Sequence, residues 1–183
     1  MEKSNGRCPV NRIQVLPLGN LPHAALVELC RGLAEVFGSR CEILHAEPAP
    51  ARAFNTSRQQ YSSTEILASL AGRAVPAAAR LVAITSSDLY VPVLTFVFGE
   101  AQLAGPCAVV STCRLRQDFY GLPADARLEN LRLLKETVHE LGHTFGLAHC
   151  ENYECVMAPS HAVEWIDLKS SKFCEACRQR LAA

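Results

Sequence analysis

His139-Glu140-Leu141-Gly142-His143-Thr144-Phe145-Gly146-Leu147-Ala148-His149 is the stretch that decides how this chain is read. A helix over about 125–145, with Asp125 as its N-cap, places Leu128, Leu131, Leu134, Val138, Leu141 and Phe145 on one apolar stripe. His139 and His143 then lie roughly a third of a turn from that stripe and one turn apart, so both rings can reach one ion. Glu140 is rotated further round, which aims its carboxylate at a metal-bound water rather than at the metal. A continuing helix would carry His149 away from the ion. Gly146 can take positive φ and turn the chain back. Three histidines then complete a site with one open position. Two histidines and a glutamate at five-residue spacing also arise by chance in long helices; the eleven-residue form is far more specific.

Cysteines follow at once. Cys150 and Cys155 form one pair, and Cys174 and Cys177 form a CxxC pair. A CxxC alone could be a redox pair, but four cysteines at this spacing suit a closed structural zinc site. In extended chain successive side chains point to opposite faces, so His149 can face one ion while Cys150 faces another. The second zinc would brace a C-terminal segment that has little apolar periodicity of its own. Met157 lies between the pairs; it can be ordinary core filling or, behind such a motif, a turn beneath the metal.

At 183 residues, 49% of them hydrophobic, the chain suits a single domain, 1–183, with a sizeable core. Residues 11–146 should supply sheet and helices, and 147–183 the irregular cysteine-bearing part. Strands are expected over 11–16, 41–44, 80–85, 94–98 and 108–111. Helices are expected over 21–37 and 63–71, the second with a capping box formed by Ser62 and Glu65. Strands alternating with helices in the first half give an α/β (α+β) class with a mixed sheet.

The formal net charge is zero, which argues against nucleic acid and anionic membranes as partners. Between the cysteine pairs only Lys169 and Lys172 are basic, too few for a nucleic-acid-binding zinc ribbon. Residues 1–7 carry no apolar signal core, and no run is long enough to span a bilayer. The nine cysteines are therefore read as reduced and the protein as cytoplasmic. Cys30, Cys41, Cys107 and Cys113 read as inert thiols, and Cys8 as an incidental thiol in a tail.

The eleven-residue motif followed by Cys150, Cys155, Met157 and the later CxxC resembles the archaemetzincin family of metzincin metalloproteases. Gln60-Tyr61-Ser62-Ser63-Thr64-Glu65-Ile66-Leu67, Ser87-Asp88-Leu89-Tyr90-Val91-Pro92 and Phe96-Val97-Phe98-Gly99-Glu100-Ala101 extend the likeness over most of the chain. The resemblance implies a metzincin-like twisted mixed sheet with a long active-site helix. It also implies a catalytic zinc on His139, His143 and His149, Glu140 as general base, and a second zinc on Cys150, Cys155, Cys174 and Cys177. Met157 would form the Met-turn. Two departures stand out: Pro159 replaces the tyrosine that some metzincins carry two residues past the methionine, and sixteen residues, fewer than usual, separate Met157 from Cys174.

The expected function is hydrolysis of peptide bonds by a zinc-dependent metallopeptidase with two zinc ions per chain, acting as a monomer on a peptide or protein substrate. The substrate would lie along the 94–98 edge, contacting Phe96, Val97 and Phe98. The rival is a zinc-stabilised peptide- or protein-binding module with a vestigial or highly selective site. The presence of Glu140 favours the enzyme, since a structural metal has no use for that carboxylate.

Overall fold

A computed structural model describes residues 11–73 and 75–181. The chain runs β1 (Arg12–Leu18), α1 (His23–Phe37), β2 (Arg40–Ile43), β3 (Phe54–Asn55), β4 (Gln60–Ser62), α2 (Ser63–Ala71), β5 (Ala79–Thr85), β6 (Leu89–Tyr90), β7 (Gly99–Ala101), β8 (Cys107–Ser111), α3 (Ala126–Thr144), α4 (Val163–Leu168) and α5 (Glu175–Leu181). The main sheet has the order β2-β1-β5-β8-β7, and β3-β4-β6 form a small second sheet. In the main sheet β1, β2, β5 and β8 are parallel, and β7 pairs antiparallel with β8 at the edge.

Side chains of the central strands alternate between two buried faces, as a sheet covered on both sides requires. Ile13, Val15, Val82, Ile84, Ala108 and Val110 share one core with α1 and α3. Leu16, Leu18, Leu81, Ala83, Cys107 and Val109 share the other with Ile66, Leu67 and Leu70 of α2. The expected α/β class and mixed sheet are therefore what the chain forms.

Helix starts follow local chemistry. Asp125 accepts from Leu128 N–H at 3.0 Å and caps α3, while Ser62 accepts from Glu65 N–H at 3.3 Å and caps α2. The second half of the expected box is absent, because the Glu65 carboxylate faces Arg52.

Three expectations need correction. Residues 94–98 form no strand; the edge strand begins at Gly99. Arg58 donates to the carbonyls of Leu94 and Thr95, and Gln60 donates to Thr95, so side chains occupy the groups a strand neighbour would need. On α3, Leu131 is 44% exposed while Leu133 is buried, together with Arg132, Lys135 and Glu136. The helix is surrounded by the sheet, α1 and α4, so burial there does not follow a single stripe. Finally, Cys30 and Cys41 are joined in a disulfide, not held as separate thiols. Packing of α1 beside β2 brings their Cα atoms to 5.2 Å. Cys8 lies outside the described residues.

Candidate metal centre

Helix α3 ends where the sequence places Gly146. This residue has φ 84°, and its N–H reaches the His143 carbonyl, while Leu147 N–H reaches that of Gly142. Those two bonds close the helix in a Schellman arrangement. The turn returns His149 to His139 and His143, and one ring nitrogen from each lies within 4.8 Å of the others. His139 Nε2 and His143 Nε2 are 3.2 Å apart. Two imidazoles on a tetrahedral zinc at about 2.0–2.1 Å place their nitrogens about 3.3 Å apart, so the donor set fits that ion.

The opposite ring nitrogens are fixed by backbone. His139 Nδ1 faces the Val156 carbonyl at 2.8 Å and His143 Nδ1 faces that of Leu147 at 2.7 Å. Donation to a carbonyl selects the tautomer that leaves Nε2 free to ligate. Burial lowers the proton affinity of all three histidines, most strongly for His139, with Lys169 acting in the same direction. Neutral imidazole is the form that binds metal.

Glu140 lies beside them, buried, with its side chain against Gly99. A Cβ at Gly99 would meet Glu140 Cγ at 2.7 Å and Oε1 at 2.8 Å. Burial raises the Glu140 carboxyl well above the carboxylate range; Glu136 and Glu100 add to the rise and Lys169 opposes it. A cation on the histidines would act with Lys169.

The four cysteines also converge. One sulfur from each lies within 4.8 Å of the others, and Cys150 Sγ and Cys174 Sγ are 3.8 Å apart. Two thiolates on a tetrahedral zinc at about 2.3 Å would be about 3.8 Å apart. The Cys177 backbone N–H, chiefly, holds the Cys174 thiol down to about 7, whereas burial pushes Cys155 and Cys177 up.

Between the two clusters the chain makes a turn, Ala158 N–H donating to the Cys155 carbonyl at 2.9 Å. Cys155 belongs to the sulfur cluster, and the Val156 carbonyl meets His139. Met157 packs against Gly142, where a Cβ would collide with its sulfur. Met157 thus lies in a tight turn packed against α3.

Known proteins resemble this chain over most of its length. The family model of Peptidase family M54 matches residues 49–183. An archaemetzincin of Methanocaldococcus jannaschii is 43% identical over 94% of this chain and 93% of its own length. The chain belongs to the archaemetzincins.

As a member of that family it is a zinc-dependent metallopeptidase acting on peptides or proteins. Two solved archaemetzincins share its fold. That of Archaeoglobus fulgidus, crystallised with malonate, has a TM-score of 0.80 at 37% identity, over 92% of this chain and 99% of that one. That of Methanopyrus kandleri has a TM-score of 0.82 at 32% identity, over 99% of this chain and 97% of that one. No helix among the described residues is long and apolar enough to cross a membrane.

In this archaemetzincin β7 is the edge of the main sheet beside Glu140, and β2 is the opposite edge. Phe98–Ser111 and Gln102–Cys107 are joined by backbone bonds, so the alternation of an antiparallel ladder turns the Glu100 backbone toward β8 and those of Gly99 and Ala101 outward. Phe98 is buried, while Phe96 and Val97 are half-buried on the approach to the strand. The motifs of the first half converge on this edge. Glu100 accepts from the hydroxyls of Ser63 and Thr64. Asp88 accepts from Arg114 and Gln60. The close approaches at Gly99 and Gly142 are invisible in sequence, since only the folded chain shows what stands opposite each glycine.

Proposed function

We propose that His139, His143 and His149 hold the catalytic zinc, that Glu140 is the general base, and that Cys150, Cys155, Cys174 and Cys177 hold a second, structural zinc. The observation that carries this reading is the convergence of three imidazole nitrogens beside a buried carboxylate packed on the first residue of a free sheet edge. When bound at the histidines, zinc supplies Lewis acidity and lowers the pKa of water from about 15.7 to about 7.

The protein's own groups do the rest. The Val156 and Leu147 carbonyls orient the rings of His139 and His143. The outward N–H and C=O groups of Gly99 and Ala101 pair with the substrate main chain as an added strand, with Phe96, Val97 and Phe98 shaping the approach. This lays the substrate's main chain alongside Glu140. Its carboxylate accepts the proton of the attacking water and passes it to the leaving amine, a role worth typically about 10²–10⁴-fold. The high proton affinity that burial confers on Glu140 suits a base that must hold this proton between the two transfers.

One chain contains every group the site needs, which supports a monomer. The four thiols required for the second zinc favour a cytoplasmic setting, whereas the Cys30–Cys41 disulfide counts against it. The test is to measure zinc per chain and cleavage of a mixed peptide library by the wild type and by Glu140→Gln. Two zincs in both, with cleavage only in the wild type, is the expected result. Equal cleavage by the variant removes Glu140 as base. Two zincs without cleavage in either turns the chain into a binding module.

A further inference from the structure

Lys169 is among the largest fully buried side chains in the molecule. Its Nζ lies 2.8 Å from Glu136 Oε1 and donates to the Ala158 carbonyl at 3.1 Å. Glu136 is itself buried, one turn before Glu140 on α3. The ammonium therefore joins the active-site helix to the last residue of the turn that carries Met157. Neither the proposed zinc ligands nor the proposed proton transfer uses this lysine.

A buried ion pair is a poor device for stability, because desolvation cancels much of its attraction and an apolar pair of equal volume often does as well. It is a good device for fixing direction, since the carbonyl must point at the ammonium. Direction is what this turn needs. The Val156 carbonyl must sit where His139 Nδ1 can donate to it, and Met157 must fill the hollow left by Gly142. The turn is tied at its other residues by the sulfur cluster through Cys155, by Val156 N–H to the Lys172 carbonyl, and by Cys150 N–H to the Met157 carbonyl. Lys169 adds a charged tie to α3, the helix that carries His139, beside the Val156–His139 bond and the Met157–Gly142 contact.

We infer that Lys169 is a positioning residue: paired with Glu136, it holds the Met157 turn in register with α3 and so sets the orientation of His139 for zinc. The inference rests on the three-histidine zinc site proposed above. Lys135 and Arg132 complete the seam. Lys135 donates to the Ile166 and Asp167 carbonyls, and Arg132 pairs with Asp167, so α4 and the chain leading to Lys169 are also bound to α3.

The test separates holding the turn from merely neutralising Glu136. Lys169→Met leaves a buried carboxylate unpaired, whereas Lys169→Met/Glu136→Met removes both charges. Zinc affinity at the histidines is read by competition with a chromophoric chelator. The cysteine cluster is followed separately by its thiolate–cobalt(II) charge-transfer absorption. The double variant is expected to keep the cobalt–thiolate signal and near-wild-type thermal stability while binding zinc at the histidines about tenfold more weakly, the lower end of what loss of an outer ligand contact costs. Wild-type zinc affinity in the double variant overturns the inference. Equal loss at both metal sites in both variants also overturns it, because Lys169 would then be holding the fold as a whole. If the wild type binds no zinc that His143→Ala abolishes, the three-histidine reading itself fails, an outcome distinct from failure of the clamp.

Discussion

At the scale of single residues, chemistry depends on what stands opposite each group. Gly99 is constrained by space: Glu140 Oε1 would lie 2.8 Å from any Cβ added there, and the Val109 carbonyl is equally close. Gly99→Ala should leave zinc content intact and displace the carboxylate, costing about 10²-fold in kcat, the usual scale for a misplacement of about 1 Å. Peptide turnover measured beside metal content would show this, and unchanged turnover would mean Glu140 does not depend on the contact. The Glu140 carboxyl also carries a pH signature. Its proton affinity is raised well above the ordinary 4.5 by burial. The folded zinc-free chain therefore binds this proton more tightly than the unfolded chain. The carboxyl's contribution to stability is complete below 4.5 and is lost as pH rises through its raised folded value. Zinc-free Glu140→Gln should thus melt higher than zinc-free wild type at neutral pH, with the gap closing as pH falls toward 4.5. Parallel melting curves across that range would contradict the burial argument.

At the scale of elements, α3 and the Met157 turn form one mechanical unit. The helix is capped far from its chemistry by Asp125, which accepts from Leu128. Asp125→Ala should cost about 1 kcal/mol of stability and leave turnover unchanged. A denaturant midpoint measured with a peptidase rate checks both halves. The turn is different, because Cys155 belongs to the sulfur cluster while the adjacent Val156 carbonyl orients His139. Cys174→Ser with Cys177→Ser should lower the zinc content per chain, reduce thermal stability and weaken the histidine site. If that variant retains full metal content and stability, the cluster does not brace the turn. Element boundaries were legible where local chemistry sets them. The caps at Ser62 and Asp125 and the turn at Gly146 need only a few neighbouring residues. The start of β7 was not, because Arg58 and Gln60, more than thirty residues upstream, occupy the carbonyls of Leu94 and Thr95.

At the scale of the whole molecule, the two donor sets differ in their access to water. Four thiolates close a coordination sphere, whereas three histidines leave a position open. Brief treatment with a chelator should therefore remove one zinc together with peptidase activity, and the second should leave only slowly or on unfolding. Metal analysis against time would check this, and simultaneous loss of both ions would argue against one open and one closed site. The folded chain also separates the nine cysteines of the sequence into kinds. Of the eight in the described residues, four meet as a cluster, Cys30 and Cys41 pair across α1 and β2, and Cys107 and Cys113 remain free thiols.

The amino-acid order by itself pointed to the proposed metal ligands and the proposed proton carrier. Helical phase, a glycine with positive φ and a closely spaced cysteine pair act over a few residues, and such local geometry is nearly independent of the rest of the chain. It determined the α/β class for the same reason, since strand and helix periods are local. Only the tertiary structure decided where the edge strand begins, which cysteines pair, what hollow Met157 fills, and that Lys169 is buried against Glu136. Each of those depends on contacts between residues far apart in the chain. Burial and partnership are properties of what arrives from elsewhere, and no local pattern in the residues around Lys169 states what that will be.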